Sequence, residues 1–108
     1  MFIHKIHSTY KIISSFLKNE GDTLIFQTSN FIKYMKDYGI SIDPSDIHQE
    51  NPDEILLSFD SYAFDGSVSP DTLKKLDVEL KKITHVDFVY IDTAKYQMRL
   101  EFDKPIEL

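Results

Sequence analysis

The chain of 108 residues contains no cysteine. Disulfide staples, zinc–thiolate sites, iron–sulfur clusters and thiol nucleophiles are thereby excluded. Glycine is scarce, at three residues. A phosphate-cradling loop or a dinucleotide fingerprint needs several glycines close together, and this chain has no such group. No serine sits in a Gly-x-Ser-x-Gly elbow. Arginine is scarcer still, with Arg99 the sole example. Binding a duplex takes several Lys or Arg on one face to displace counterions, so no direct nucleic-acid ligand is expected.

Long apolar runs are missing too. No stretch approaches the roughly 18 residues that a membrane-crossing helix needs. Residues 1–7 lack the basic region, apolar run and small-residue cleavage site of a signal peptide, and no lipidation motif is present. Secreted domains of this size often carry disulfides. These absences together predict a soluble cytoplasmic protein with no membrane attachment.

One absence is local. Residues 37–73 contain no Lys or Arg but nine acids: Asp37, Asp43, Asp46, Glu50, Asp53, Glu54, Asp60, Asp65 and Asp71. Before this block, five lysines face only Glu20 and Asp22; after it, seven bases balance seven acids. The net charge of −6 is therefore concentrated in the middle third. A block of one sign creates a field that favours partners of the other sign.

What is present is a globular composition, 42% apolar and 28% charged, which excludes a disordered or low-complexity chain. A chain of this length buries roughly two-thirds of its unfolded surface, enough for a core without staples. One domain over residues 1–108 is expected. Ile3, Ile6, Tyr10, Ile13 and Leu17 recur at intervals of three and four and predict a helix over residues 4–19, closed by Gly21. Residues 23–28 read as a strand. Phe31, Met35 and Tyr38 stripe a second helix, capped by Ser29 or Asn30 and stopped at Gly39. Residues 40–44 read as a brief extended segment, and residues 45–53 as a loop or a single helical turn.

Residues 54–60 alternate as a strand, with Ile55, Leu57 and Phe59 on the buried face and Leu56 as the exception. Ser69, Pro70 and Asp71 form a strong helix start, followed by Leu73, Leu76, Leu80 and Ile83 on the buried face. Residues 85–92 are apolar on both faces, which predicts an interior strand. Residues 96–103 alternate cleanly and pair with it through a short turn as a C-terminal β-hairpin. The order α-β-α-β-α-β-β predicts an α+β two-layer sandwich: one sheet of four or five mostly antiparallel strands under about three helices.

Chemistry-bearing groups are few. His4 and His7 share a helical face but lack a third ligand, so no metal is expected. The acid-rich loop from Asp43 to Asp53 fails the spacing of a calcium loop. His48 lies among those acids and can titrate near neutrality, yet no second group is paired with it. The chain is expected to be non-enzymatic and to carry no cofactor.

The strongest candidate site is the acidic block with its aromatics: Asp43, Asp46, Glu50, Asp53, Asp60, Tyr62, Phe64 and Asp65. Rings that anchor in a pocket, ringed by carboxylates that meet Lys or Arg, suit a protein interface. The partner expected is a basic protein such as a nuclease or another nucleic-acid-binding enzyme, whose substrate groove is positive. Immunity proteins against toxins and phage-encoded inhibitors cover such grooves; the parallel is one of charge and size. Two other readings stay open: a small enzyme or ligand-binding domain with a pocket between sheet and helices, and a homo-oligomeric subunit.

Overall fold

The computed structural model describes residues 11–59 and 68–108. They form an α+β fold: strands β1 (Leu17–Glu20) and β2 (Thr23–Phe26), helix α1 (Thr28–Lys36), strands β3 (Ile47–His48) and β4 (Glu54–Ser58), helix α2 (Pro70–Lys81), then strands β5 (Val86–Asp92), β6 (Gln97–Phe102) and β7 (Ile106–Glu107). The expectation of about three helices under one sheet is corrected to two helices and two sheets among the described residues. One sheet has the order β1-β2-β7 and the other β3-β4-β6-β5.

The first expected helix is where the sequence misleads. Its residues 4–10 lie outside the described residues, and residues 11–19 are not helical. Ile12 makes a parallel bridge with Ile83 instead, and Ile13 is 87% exposed. Two β-branched residues followed by Ser14 and Ser15 are poor helix material, because the isoleucines lose side-chain freedom and the serines compete for the backbone. Gly21 does not cap a helix. It sits at φ 61 in the two-residue turn of the β1–β2 hairpin, where Glu20 pairs with Thr23. Such turns need positive φ, which glycine adopts without strain.

The second sheet comes from a missed element as well as from the lost helix. Leu24 of β2 pairs in parallel with Ile106 of β7, beyond the end of the expected hairpin at residue 103. A two-residue strand gives no periodicity to read.

Both remaining helices follow their sequence signals. In α1, Phe31 and Met35 are fully buried. Gly39 at φ 78 ends it, with Gly39 N–H donating to Lys36 O at 2.9 Å and Ile40 N–H to Met35 O at 3.1 Å, the paired bonds of a Schellman close. The N-cap is Gln27 rather than Ser29 or Asn30, and it makes no side-chain cap bond. In α2, Ser69 Oγ accepts from Thr72 N–H at 3.1 Å, a cap that contributes about 1 kcal/mol.

The buried residues of both sheets and both helices form one continuous cluster. Phe16 is its aromatic centre: its ring lies 4.9 Å from Phe31, 5.2 Å from Tyr34 and 6.0 Å from Phe26, all edge-to-face, the arrangement that aromatic quadrupoles favour. At the other end, Leu76 and Leu80 of α2 join the buried face of the four-stranded sheet: Ile55, Leu57, Val86, Val89, Met98, Leu100 and Phe102.

Among the described residues, no helix is long and apolar enough to cross a membrane.

Phe16→Ala is expected to cost about 3–5 kcal/mol, since it opens a cavity among three rings. Ile13→Ala should fall within about 0.5 kcal/mol, because Ile13 is exposed. Urea denaturation of the two variants measures both; equal losses would contradict this core.

Candidate functional site

The four-stranded sheet buries one face and leaves much of the other open. Three strands set the open face: Glu54, Leu56 and Ser58 from β4; Gln97, Arg99 and Glu101 from β6; Phe88, Tyr90 and Asp92 from β5. The register aligns them in rows. Leu56 and Tyr90 both pair with Arg99, Glu54 and Phe88 with Glu101, and Ser58 and Asp92 with Gln97. Phe88 is 43% exposed and Tyr90 48%. These rings, with Leu56, Asp92, Lys95, Gln97 and Arg99, line a hollow of about 400 Å³.

The sequence pattern alone puts these rings inside. It groups Val86 with Phe88 and Tyr90, and reads an interior strand. In the structure β5 is an edge strand and β6 is interior. Pairing slips between Val86 and Phe88, the mark of a bulge at Asp87. The extra residue lets Val86 and Val89 both face the core and turns Phe88 and Tyr90 outwards. The one signal in the sequence is the acid at position 87 inside an apolar run. It does not reveal a bulge by itself.

Arg99 stands at the centre of the open face. Its Nη1 lies 3.8 Å from Glu54 Oε2 and 4.0 Å from Glu101 Oε2. Glu54 is only 6% exposed and also accepts from Asn51 Nδ2 at 3.0 Å. A carboxylate this buried needs such partners to stay charged at tolerable cost. The sequence places Glu54 on the solvated side of β4. The structure keeps it on that face, buried, with the half-exposed Arg99 as its nearest cation. The face beside the rings can take apolar or aromatic groups and offer charge at its rim.

The sequence-derived candidates divide into three groups. Asp60, Tyr62, Phe64 and Asp65 lie outside the described residues, as do His4 and His7. Asp43 and Asp46 belong to a short 3₁₀ turn over Pro44–Asp46. Asp43 Oδ1 accepts from Ser45 N–H at 3.0 Å and from Ser45 Oγ at 2.8 Å, and Asp46 Oδ2 accepts from Asp43 N–H at 2.9 Å. This reciprocal box holds the turn's backbone, so these two acids shape the chain as well as charging it.

Glu50 and Asp53 are exposed in the turn between β3 and β4. That turn runs straight into Glu54 at one end of the open face. The structure therefore brings one end of the acidic block to the row of Phe88 and Glu101, while the hollow itself is lined by Asp92, Lys95 and Arg99 and by no acid of the block. His48 is exposed on β3. Among the described residues, no group of three or more His, Asp and Glu is placed to hold a metal ion.

The two hydrogen bonds from Ser45 hold the Asp43 carboxyl below the usual aspartate value, the backbone bond contributing most. A lowered folded value means the stabilisation is complete above the unfolded pKa and is lost as pH falls through the folded one. In an NMR titration Asp43 should therefore protonate below an ordinary aspartate. Ser45→Ala should raise its midpoint part of the way, since the backbone donor remains. An unmoved midpoint would contradict the hydrogen bond from Ser45 Oγ.

Scans against protein-family models, curated proteins and solved structures found no match for this chain.

Proposed function

We propose that this chain is a small, non-enzymatic protein-binding module that docks and neutralises a basic partner through the open face of its four-stranded sheet. The observation that carries the reading is the pair of half-exposed rings, Phe88 and Tyr90, over a hollow of about 400 Å³. Exposed aromatics beside an arginine are the side chains that most often anchor a protein interface. The charge that would meet a basic partner lies at the end of this face, on the exposed Glu50 and Asp53 of the acid-only block, while Arg99 and Lys95 stand beside the hollow itself.

The two parts have separate roles. Carboxylates steer the encounter and raise the association rate, and rings that leave water on docking slow dissociation. A positive substrate groove, as in a nuclease or another nucleic-acid-binding enzyme, meets both requirements. Covering such a groove inhibits the enzyme without any chemistry by the module, in the manner of immunity proteins and phage-encoded inhibitors.

The test is capture of partners from a cell lysate at low and high salt, using three forms of the protein. The native chain should retain a basic protein at low salt and release it as salt rises. Phe88→Ser/Tyr90→Ser should keep the fold and shorten the complex's lifetime by about tenfold or more. Glu50→Gln/Asp53→Asn, chosen because Asp43 and Asp46 hold a turn, should slow association several-fold at low salt only. Capture indifferent to both pairs of substitutions would overturn the proposal.

A further inference from the structure

The chain passes from α2 into β5 through a turn over residues 83–86, where Val86 N–H donates to Ile83 O at 3.0 Å. His85 stands third in this turn, at φ 77. A positive φ at that position favours glycine or asparagine, because a larger side chain crowds its own backbone there. A histidine holds such a conformation only with outside support. Asp103 supplies it twice. Its N–H donates to His85 O at 3.0 Å, and its carboxylate lies 2.9 and 3.1 Å from His85 Nδ1. An ionised carboxylate only accepts, so Nδ1 carries the hydrogen. The neutral imidazole then has its lone pair at Nε2.

The chain before β1 runs parallel to this turn. Ile12 N–H donates to Lys82 O at 2.8 Å, and Thr84 N–H to Ile12 O at 2.7 Å. Beside this short pairing is a hollow of about 210 Å³, lined by Ile13, Ser14, Leu17, Asn19, Thr84 and His85. Ser14 Oγ is buried with no hydrogen-bond partner, alone in this among the side-chain oxygens and nitrogens of the described residues. Buried hydroxyls are nearly always bonded, so this one is placed for a group that the chain itself does not supply. Alanine at position 14 would remove the unbonded hydroxyl, and glycine at position 85 would relieve the turn. The sequence keeps the costlier residue at both, and both border the same hollow.

The lining selects the ligand. It holds no Lys, Arg, Asp or Glu. The charged groups bonded to it are engaged: Asp103 with His85, and Lys104 with Asn19 Oδ1 at 2.7 Å and Gly21 O at 2.9 Å. An ion would find no counter-charge here. A wholly apolar molecule would leave Ser14 Oγ unbonded and strip water from His85 Nε2, which costs binding energy. With its oxygen taken by Lys104, the Asn19 amide still has N–H to donate. The polar groups are thus an acceptor on His85, donors on Asn19, and hydroxyls on Ser14 and Thr84 that can do both, beside the apolar Ile13 and Leu17. The volume is below the roughly 300–1,000 Å³ of sites for drug-sized molecules, so the ligand is about one ring in size.

We propose that this hollow binds a small uncharged molecule rich in hydroxyl groups, of the size of one sugar ring, with His85 Nε2 accepting from one hydroxyl and Ser14 Oγ bonded to another. The hollow shares no lining residue with the one beside Phe88 and Tyr90, so the proposal stands apart from the protein-binding reading above.

The experiment is an NMR titration of the full chain with glucose, galactose, mannose, ribose and glycerol. Glucuronate and glucosamine serve as charged analogues, and cyclohexanol keeps the ring with a single hydroxyl. At least one neutral polyol should shift the amides of residues 13, 14, 84 and 85 and saturate at roughly millimolar concentration. Ser14→Ala should weaken that binding by about fivefold or more, with a thermal midpoint no lower than that of the native chain, since it removes only an unbonded hydroxyl. His85→Gly should weaken it at least as much; if that variant does not fold, Ser14→Ala decides alone. Binding by none of the polyols, shifts confined to other residues, or equal affinity in Ser14→Ala overturns the site. Equal or tighter binding of a charged analogue or of cyclohexanol overturns the ligand class. A lowered thermal midpoint in Ser14→Ala shows the hydroxyl serving the fold and overturns its role as a ligand contact.

Discussion

The slip in pairing between Val86 and Phe88 governs the direction of every side chain that follows on β5. Side-chain period in a strand is two, so a single added residue exchanges the faces of all later positions. With it, Val86 and Val89 both reach the core, where they meet Leu76 and Leu80 of α2. Without it, either Val86 would leave the core or Phe88 and Tyr90 would enter it, against a helix already packed there. The open aromatic face and the hollow beside Arg99 both follow from that one residue.

The same constraint explains how much of the molecule can be read from its sequence. Long, strongly patterned elements are legible: α2 begins at the Ser69 cap, α1 ends at Gly39, and the β5–β6 hairpin forms with Asp92 opposite Gln97. Elements that depend on distant partners are not. Residues 11–16 have helical spacing but take their place from Ile83, and β7 is a strand only because β2 lies beside it. Such pairings are decided by the rest of the chain and leave no mark in a local window.

The candidate site is legible to a smaller degree. The acid-only block can be counted directly, and it does lead into the open face through Glu50, Asp53 and Glu54. The rings beside it cannot be chosen from the pattern, because an apolar residue facing a partner and one facing the core look alike in a strand read as buried on both sides. Tyr62 and Phe64, which lie in a loop between acids, fall outside the described residues, and Phe88 and Tyr90 are turned outwards by a bulge. Charge also differs within one segment: Asp43 and Asp46 bind their own turn, Glu54 is buried near Arg99, and Glu50 and Asp53 are exposed.

The parallel pairing of Leu24 with Ile106 has a consequence for the order in which the molecule assembles. The hairpins β1–β2, β3–β4 and β5–β6 close over short loops and can form from local contacts alone. The three-stranded sheet is different. It stays one strand short until residues from the far end of the sequence return to it, with Lys104 reaching Asn19 and Gly21 at 2.7 and 2.9 Å. Closing so long a loop spends chain entropy before the pairing returns any energy, which places this step late and makes folding slow for a chain of this size. On a ribosome, the first hairpin waits with an unpaired edge until β7 has emerged.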